Sequence, residues 1–477
     1  MKSLLFLSSA LFALAAQAAV HSIVFNPANV PAILGRDDVP VGTVTVTSDL
    51  SDFANITLST KGSDSGIIQS MVMGGALGKL TEDAVTFRVQ VPNGTVKFDL
   101  FLRPQPGTDL RKTAKINGNT IRLASVVTRP NQHVTDANRT SKCFRIPGIV
   151  QTNTGTLVAV FDNRFNHWGD LPADITIGVS TSKDGGTTWS PITTALTPQG
   201  LPGGNGIGDP AILLDPSNNR LWISALRAPN SGHPIWSSAA GSTDPQTCGQ
   251  WILAYSDDEG KTWSEPINIT AAIKRPNDPD TKTWGLVFQG PGAGIAMRDG
   301  TLVFPGQIWG NKGRAPHHGI LVYSKDHGKT WHSSKAMPFG GSESTVAEIE
   351  PGILLLNTRE GGGPKTRVSA ITQDMGETWT KLDTTPLRQP GNLCQAALLN
   401  MDGTLVFSNP NAGNRSTMTL RTSKDKGKTW SKGLIYDARE CAGYSSLCPV
   451  GNDAVGVIYE GTSDWHYFQR VPMKDLK

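Results

Sequence analysis

The sequence predicts an all-β chain, a six-bladed β-propeller preceded by a small N-terminal β-sandwich, on three observations. An eight-residue pattern, Ser-x-Asp-x-Gly-x-Thr-Trp, occurs at residues 182–189, 256–263, 324–331 and 423–430, and with Thr in first place at 372–379. A second repeat, out of phase with the first, opens a short apolar strand six times. The 51 glycines and 31 prolines among 477 residues are what many short strands joined by turns require.

Physically the eight-residue pattern reads as a folded turn. The Asp can accept bonds from backbone N–H groups two or three residues on, Gly can take the positive φ that sharpens the bend, and Trp can lay its apolar face beneath. A calcium loop would need more oxygen ligands than one Asp and one Ser supply.

Taken in order, residues 1–18 read as a secretory leader: Lys2, an apolar run over residues 4–15, then Ala16-Gln17-Ala18 as a cleavage site. The run is too short to span a bilayer, so a secreted or periplasmic product without stable membrane insertion is expected. From 19 to 128 there is no eight-residue box. Period-two runs such as Gly42-Thr43-Val44-Thr45-Val46-Thr47, residues 85–91 and residues 96–102 read as half-buried strands of the sandwich. Its functional reading is glycan binding and its alternative a structural spacer. Pro130, Asn131 and a polar run place the domain boundary near 129. A chain starting at Asn131 should therefore fold alone.

From 129 to 477 the second repeat begins at Gly155, Arg220, Gly300, Gly352, Gly403 and Ala454. Each unit is about the length of a four-stranded blade and lacks a core of its own, so the six must close in a ring. Five boxes for six units imply one hairpin without its box.

The net charge of +4 and the absence of a Lys/Arg run argue against nucleic acid as a partner. Of five cysteines, Cys441 and Cys448 are close enough to close a small disulfide loop. Cys143, Cys248 and Cys394 read as buried apolar residues. No zinc spacing occurs.

Further stretches carry chemistry. They are Cys143-Phe144-Arg145-Ile146-Pro147, Gly341-Ser342-Glu343-Ser344, the strand ending Asn357-Thr358-Arg359, Asn414-Arg415, and Ala442-Gly443-Tyr444-Ser445. With the boxes, they make residues 130–477 resemble the Asp-box sialidases (neuraminidases) of the bacterial, trypanosomal and animal type. The resemblance implies a carboxylate-binding arginine triad of Arg145, Arg359 and Arg415. Sialic acid carries a permanent carboxylate on its anomeric carbon, and guanidinium matches both oxygens.

The resemblance further implies Tyr444 as nucleophile and Glu343, sixteen residues before Arg359, as its base. A neutral phenol escapes the repulsion an attacking carboxylate would meet, but it needs that base because its pKa lies near 10. Glu348 and Glu350 are nearby non-catalytic acids. Arg164 followed by Asp170 resembles the family's arginine and acid/base pair, with Asp162 and Asp174 as rivals for the acid. Asp209, before Pro210, resembles an aspartate that contacts the sugar with Arg164, or is a turn residue. Glu460 resembles a glutamate that braces the first arginine, setting the last blade against the first.

The implied function is an exo-α-sialidase acting on sialylated glycoproteins, glycolipids or oligosaccharides, monomeric and without metal or organic cofactor. A trans-sialidase and a sialic-acid-binding lectin on the same fold are the alternatives. A lectin would need the arginines but not Asp170, Glu343 and Tyr444.

Overall fold

The computed structural model describes residues 18–198, 205–275, 279–314, 316–359, 367–383, 387 and 394–476. The leader read at 1–18 lies outside them save for Ala18. The described chain is almost wholly β. Its first part forms two antiparallel sheets. One runs Val20–Pro27, Pro40–Ser48, Gly94–Pro104, Ile68–Met73, Ala76–Leu77, and the other Asp52–Ser59, Ala84–Val91, Lys79–Leu80. The alternation seen in the sequence is the division of faces: Val44, Val46, Phe87, Val89 and Leu100 point into one shared core, while Lys97 and Arg88 point outward.

Six further sheets succeed one another among the described residues. The first has strands Cys143–Gln151, Leu157–Arg164, Ile175–Ser182 and Thr193–Leu196. The second has Ile207–Asp215, Arg220–Arg227, Gln250–Ser256 and Ile267–Asn268, with Gly292–Ala293 added parallel to its first strand. The third is built on Leu302–Ile308 and His318–Ser324. The fourth has Ser344–Glu350, Ile353–Thr358, Val368–Thr372 and Thr380–Leu382, and the fifth Ala397–Met401, Thr404–Pro410, Ser416–Ser423 and Leu434–Glu440. The sixth has Ser445–Val450, Ala454–Glu460, His466–Pro472 and Leu123–Thr128. Each member of the second sequence repeat opens at a second strand. Those strands are continuous apolar runs rather than alternating ones because neighbouring sheets cover both faces. Leu157–Arg164 is buried at every position.

The sheets are bonded in a cycle. Asp209 N–H donates to Asp162 Oδ1 (2.9 Å), Gly294 N–H to Ile212 O (3.0 Å) and Ser344 Oγ to Gly306 O (3.1 Å). Leu398 N–H donates to Thr345 Oγ1 (3.0 Å), Ser408 and Ser445 share a hydroxyl bond (2.9 Å), and Ile149 N–H donates to Ser446 Oγ (3.3 Å).

This closure corrects two expectations. The domain boundary does not fall at 128/129, because Leu123–Thr128 is the outermost antiparallel strand of the sixth sheet, Ser125 facing Phe468 and Val126 facing Tyr467. Nor has a hairpin lost its box. The sixth sheet takes its fourth strand from before the first sheet, so the hairpin that carries a box elsewhere does not exist there. A chain starting at Asn131 would leave the outer edge of His466–Pro472 without its antiparallel partner and bare the buried Tyr467 and Phe468. It is expected to aggregate or to unfold below about 37 °C, whereas a chain starting at Ala19 keeps a single transition; thermal denaturation of the two proteins separates these outcomes.

Each box joins the third strand of its sheet to the fourth. Asp184 Oδ1 accepts Thr188 N–H (2.9 Å), its Oδ2 accepts Thr188 Oγ1 (2.6 Å), and Ser182 Oγ accepts Gly186 N–H (2.9 Å). The Asp thus bonds mainly four residues on, further than expected. The bend takes two successive positive-φ residues, Gly185 at 69° and Gly186 at 92°. The five cysteines are all free. The expected Cys441–Cys448 pair does not form because Cys441 Sγ lies on Arg415 O while Cys448 is buried in a different apolar cluster.

Candidate active site

In these up-and-down sheets the start of each first strand, the end of each second strand and the start of each third strand share one end. The boxes, at the ends of third strands, lie at the other. Arg145, Asp209, Glu343, Tyr444, Arg164, Arg359, Glu460 and Arg415 all occupy the first end, with Asp170 in the loop after Arg164. Several are cross-strand partners at the open mouths of hairpins. Arg359 N–H donates to Glu343 O (2.8 Å), and Glu460 N–H to Tyr444 O (2.9 Å). The sixteen-residue spacing of Glu343 and Arg359 is thus hairpin arithmetic: Ser344 pairs with Thr358, and the next rung is this one.

Three site residues sit where the ladder is broken. The first strand of the first sheet bulges between Arg145 and Gly148, with Ile146 at φ 60°. Asp209 (φ 57°) and Arg415 (φ 53°) adjoin similar irregularities. A bulge rotates one side chain out of the pleat, here toward the mouth of the ring. Positive φ at a β-branched residue is costly, and Glu460 holds it by accepting Ile146 N–H (2.9 Å).

Tyr444 is the centre of the group. Its Oη donates a short hydrogen bond to Glu343 Oε1, and Arg359 Nη1 donates to Glu343 Oε2 (2.8 Å) and to Tyr444 Oη (3.5 Å). The Arg145 guanidinium lies 5.4 Å from the Tyr444 ring centre. Arg415 Nη1 donates to Ala442 O (3.0 Å), and its chain passes over Gly443, where a Cβ would stand 3.4 Å from Arg415 Cδ and 2.9 Å from Cys394 Sγ. Two guanidiniums, those of Arg359 and Arg145, thus lie against one phenol that is only 7% exposed, with Arg415 held on the backbone two residues before it. Burial, then the adjacent Glu343 carboxylate, push the phenol well above its ordinary value, so loss of its proton requires that carboxylate to accept it.

Glu460 is buried and spends both oxygens. Oε1 accepts Arg145 Nε (2.6 Å), and Oε2 accepts Tyr444 N–H (2.9 Å). Burial raises its carboxyl, but Arg145 more than offsets this and holds it below the usual range. Burial likewise pulls Arg145 down, and Glu460 returns it above its ordinary value.

A second group forms around Arg164, which is buried. Its Nη2 donates to Asp162 Oδ2 (2.8 Å), and its Nη1 lies 2.9 Å from Asp170 Oδ1. Asp170 is 75% exposed at the rim, the placement a group needs to meet a leaving oxygen and water. Asp162, weighed as a rival acid, is instead sealed beneath Arg164. Burial lifts its carboxyl to about 6 even against Arg164, and its Oδ1 holds the backbone of Asp209. Burial, then Asp162, raise the Asp209 carboxyl well above its ordinary value. Asp174 turns away to Arg139. Glu348 accepts Gly352 N–H (2.9 Å) and Glu350 pairs with Lys426 (2.7 Å), both away from Tyr444.

Residues outside the motifs also reach the site. Arg367, wholly buried, donates to Asn357 Oδ1 (2.5 Å) and Cys394 O (2.6 Å), and burial lowers its guanidinium to about 10. Asp464, raised to about 6 by burial in spite of nearby Arg145, flanks Glu460. A lone Arg or Asp in a loop carries no sequence signal for such a place. Among the described residues no cluster of three or more His, Cys, Asp or Glu is placed to hold a metal, and no helix is long and apolar enough to cross a membrane.

Comparison with known proteins decides the family. A BNR repeat-like domain matches residues 172–457. A sialidase of Bacteroides fragilis is 39% identical over 410 residues, 80% of this chain and 73% of the relative. The chain belongs to the Asp-box sialidases. A Clostridium perfringens sialidase is 27% identical over 375 residues, 70% of this chain and 91% of that one. A solved sialidase from Hadza microbes superposes with a TM-score of 0.81 at 30% identity, covering 95% of this chain and 100% of its own. Trypanosoma rangeli sialidase, at 23% identity and a TM-score of 0.59 over 72% of this chain and 58% of its own, shares the fold. The solved sialidases are β-propellers, as is this family member.

Proposed function

We propose that the protein is an exo-α-sialidase, a retaining glycoside hydrolase that removes terminal α-linked sialic acid from glycoproteins, glycolipids or oligosaccharides. The observation that carries this reading is the hydrogen bond from Tyr444 Oη to Glu343 between the guanidiniums of Arg359 and Arg145, with Arg415 anchored on Ala442 O two residues before Tyr444. The arginines hold the substrate carboxylate and so set the anomeric carbon over Oη. Glu343 takes the phenol proton as Oη bonds to that carbon, while Asp170 gives a proton to the departing oxygen. Asp170 then takes a proton from water, which attacks the same carbon, and Tyr444 leaves with the proton held by Glu343. Two inversions give net retention, by a tyrosine rather than the usual second carboxylate. Arg164 and Asp209 face the sugar away from its carboxylate.

The same reading makes the six bonded sheets the blades of a six-bladed propeller and the two leading sheets a β-sandwich. The cycle of inter-sheet bonds and the shared core of the leading sheets support it. It includes export after removal of the leader, supported by the composition of residues 1–18, and action as a monomer, supported by a site drawn from one chain.

The test is incubation with α2,3-, α2,6- and α2,8-linked sialosides, with and without lactose, followed by NMR. Free sialic acid appearing first as the α-anomer is expected. A β-anomer would overturn the tyrosine route. Sialyl-lactose as the main product would make the protein a transferase, and binding without cleavage a lectin. Within the triad, Arg359→Lys keeps charge but loses the planar fork. It is expected to lower kcat/KM at least about tenfold, near 1.4 kcal/mol of transition-state stabilisation, and steady-state kinetics on a soluble sialoside checks it.

A further inference from the structure

The nucleophile and its base do not come from adjacent sheets. Tyr444 opens the sixth and Glu343 the fourth, so the fifth sheet stands between them and its mouth sets their separation. At that mouth lies Gln395, 2% exposed, with its amide fully engaged. Its Oε1 accepts Ser445 N–H (3.0 Å), while its Nε2 donates to Ser445 O (3.0 Å) and Pro291 O (3.0 Å). One side chain thus reads both backbone groups of the residue next to Tyr444, as a neighbouring strand would, and ties it to the segment leading into Gly292–Ala293. Gly292, at φ 117°, is the close approach this needs, since a Cβ there would stand 3.2 Å from Gln395 Nε2. The preceding residue is anchored from the other side. Cys394 O accepts Arg367 Nη1 (2.6 Å), and Arg367 Nε donates to Asn357, two residues before Arg359. Cys394 itself packs with Tyr444 and Ile146.

We infer that Gln395, braced through Cys394 by Arg367, is a positioning residue that sets the distance between Tyr444 Oη and Glu343. It does not touch substrate; it acts through the backbone of Ser445. This rests on Tyr444 being the nucleophile, and the experiment separates the two claims.

Gln395→Met keeps length and apolar bulk and removes all three bonds. With a soluble fluorogenic sialoside, kcat is expected to fall ten- to a hundredfold with KM within about twofold. Covalent labelling of Tyr444 by a fluorinated sialyl fluoride should slow in proportion. In a Tyr444→Phe background the same change should have no further effect, because the group it positions is gone. A folded Gln395→Met enzyme with unchanged kcat, a change confined to KM, or a loss that simply multiplies with that of Tyr444→Phe would overturn the inference. If Gln395→Met does not fold, Gln395→Glu, which retains the acceptor and loses the donors, carries the same double-variant comparison. Full activity in Tyr444→Phe alone would instead refute the nucleophile assignment, and the inference with it.

Discussion

Tyr444→Phe is expected to lower kcat/KM on the sialosides by a factor of about 10³ or more, about 4 kcal/mol of barrier. The change removes one oxygen and leaves the buried ring in place among Ile146 and Cys394. Glu343 keeps Arg359 as partner through Oε2, so the unfolding midpoint should move little. With Oη gone, Glu343 has no phenol to deprotonate and no sugar–tyrosine bond can form. Peptide mass spectrometry after treatment with a fluorinated sialyl donor should find the sugar on the fragment holding Tyr444 in the parent enzyme and on no fragment of the variant. Activity within tenfold of the parent, or label on Glu343, would sink the assignment.

Glu460→Ala is expected to cost about 3–5 kcal/mol of folding stability as well as most activity, because it strands a charge already withdrawn from water. The lost carboxylate is the partner of Arg145 Nε and of the N–H groups of Ile146 and Tyr444 at once. It also ties the last sheet to the first at the mouth of the ring. The urea midpoint, at unchanged slope, measures the loss. The pH dependence has a definite sign. The folded carboxyl lies below its unfolded value, so its contribution is complete above the unfolded value near 4.3 and disappears as pH falls through the folded one. The gap in midpoint between the parent and Glu460→Gln should therefore be widest near neutrality and close at acid pH. A gap independent of pH would mean that the ionised Glu460–Arg145 pair contributes nothing to the fold.

What the sequence determined by itself is what short-range physics repeats. The boxes were legible because each turn is closed by its own eight residues, Ser and Asp accepting backbone N–H groups within reach. Glu343 with Arg359 was legible through the family resemblance, and the structure supplies the reason: a hairpin converts a spacing into a contact, and the register Ser344 to Thr358 makes this pair the next rung. Alternation marked the leading sheets, each with a face turned to solvent, and continuous apolar runs marked strands covered on both sides.

Only the tertiary structure decided which strand completes the sixth sheet. Leu123–Thr128 looks like any other short strand, and nothing local says that its partner lies at His466–Pro472. It also decided the fate of polar residues whose type is ordinary at a surface. Asp162 is sealed under Arg164, while Arg367 and Gln395 brace the backbone beside Tyr444. Cys441 and Cys448 are parted into different cores despite their short spacing. For Arg367 and Gln395 the outcome depends on a partner from the neighbouring sheet, and burial makes that partnership worth several times what it would be in water. Local pattern names the turns and hairpins, and closure of the ring decides which polar groups meet inside it.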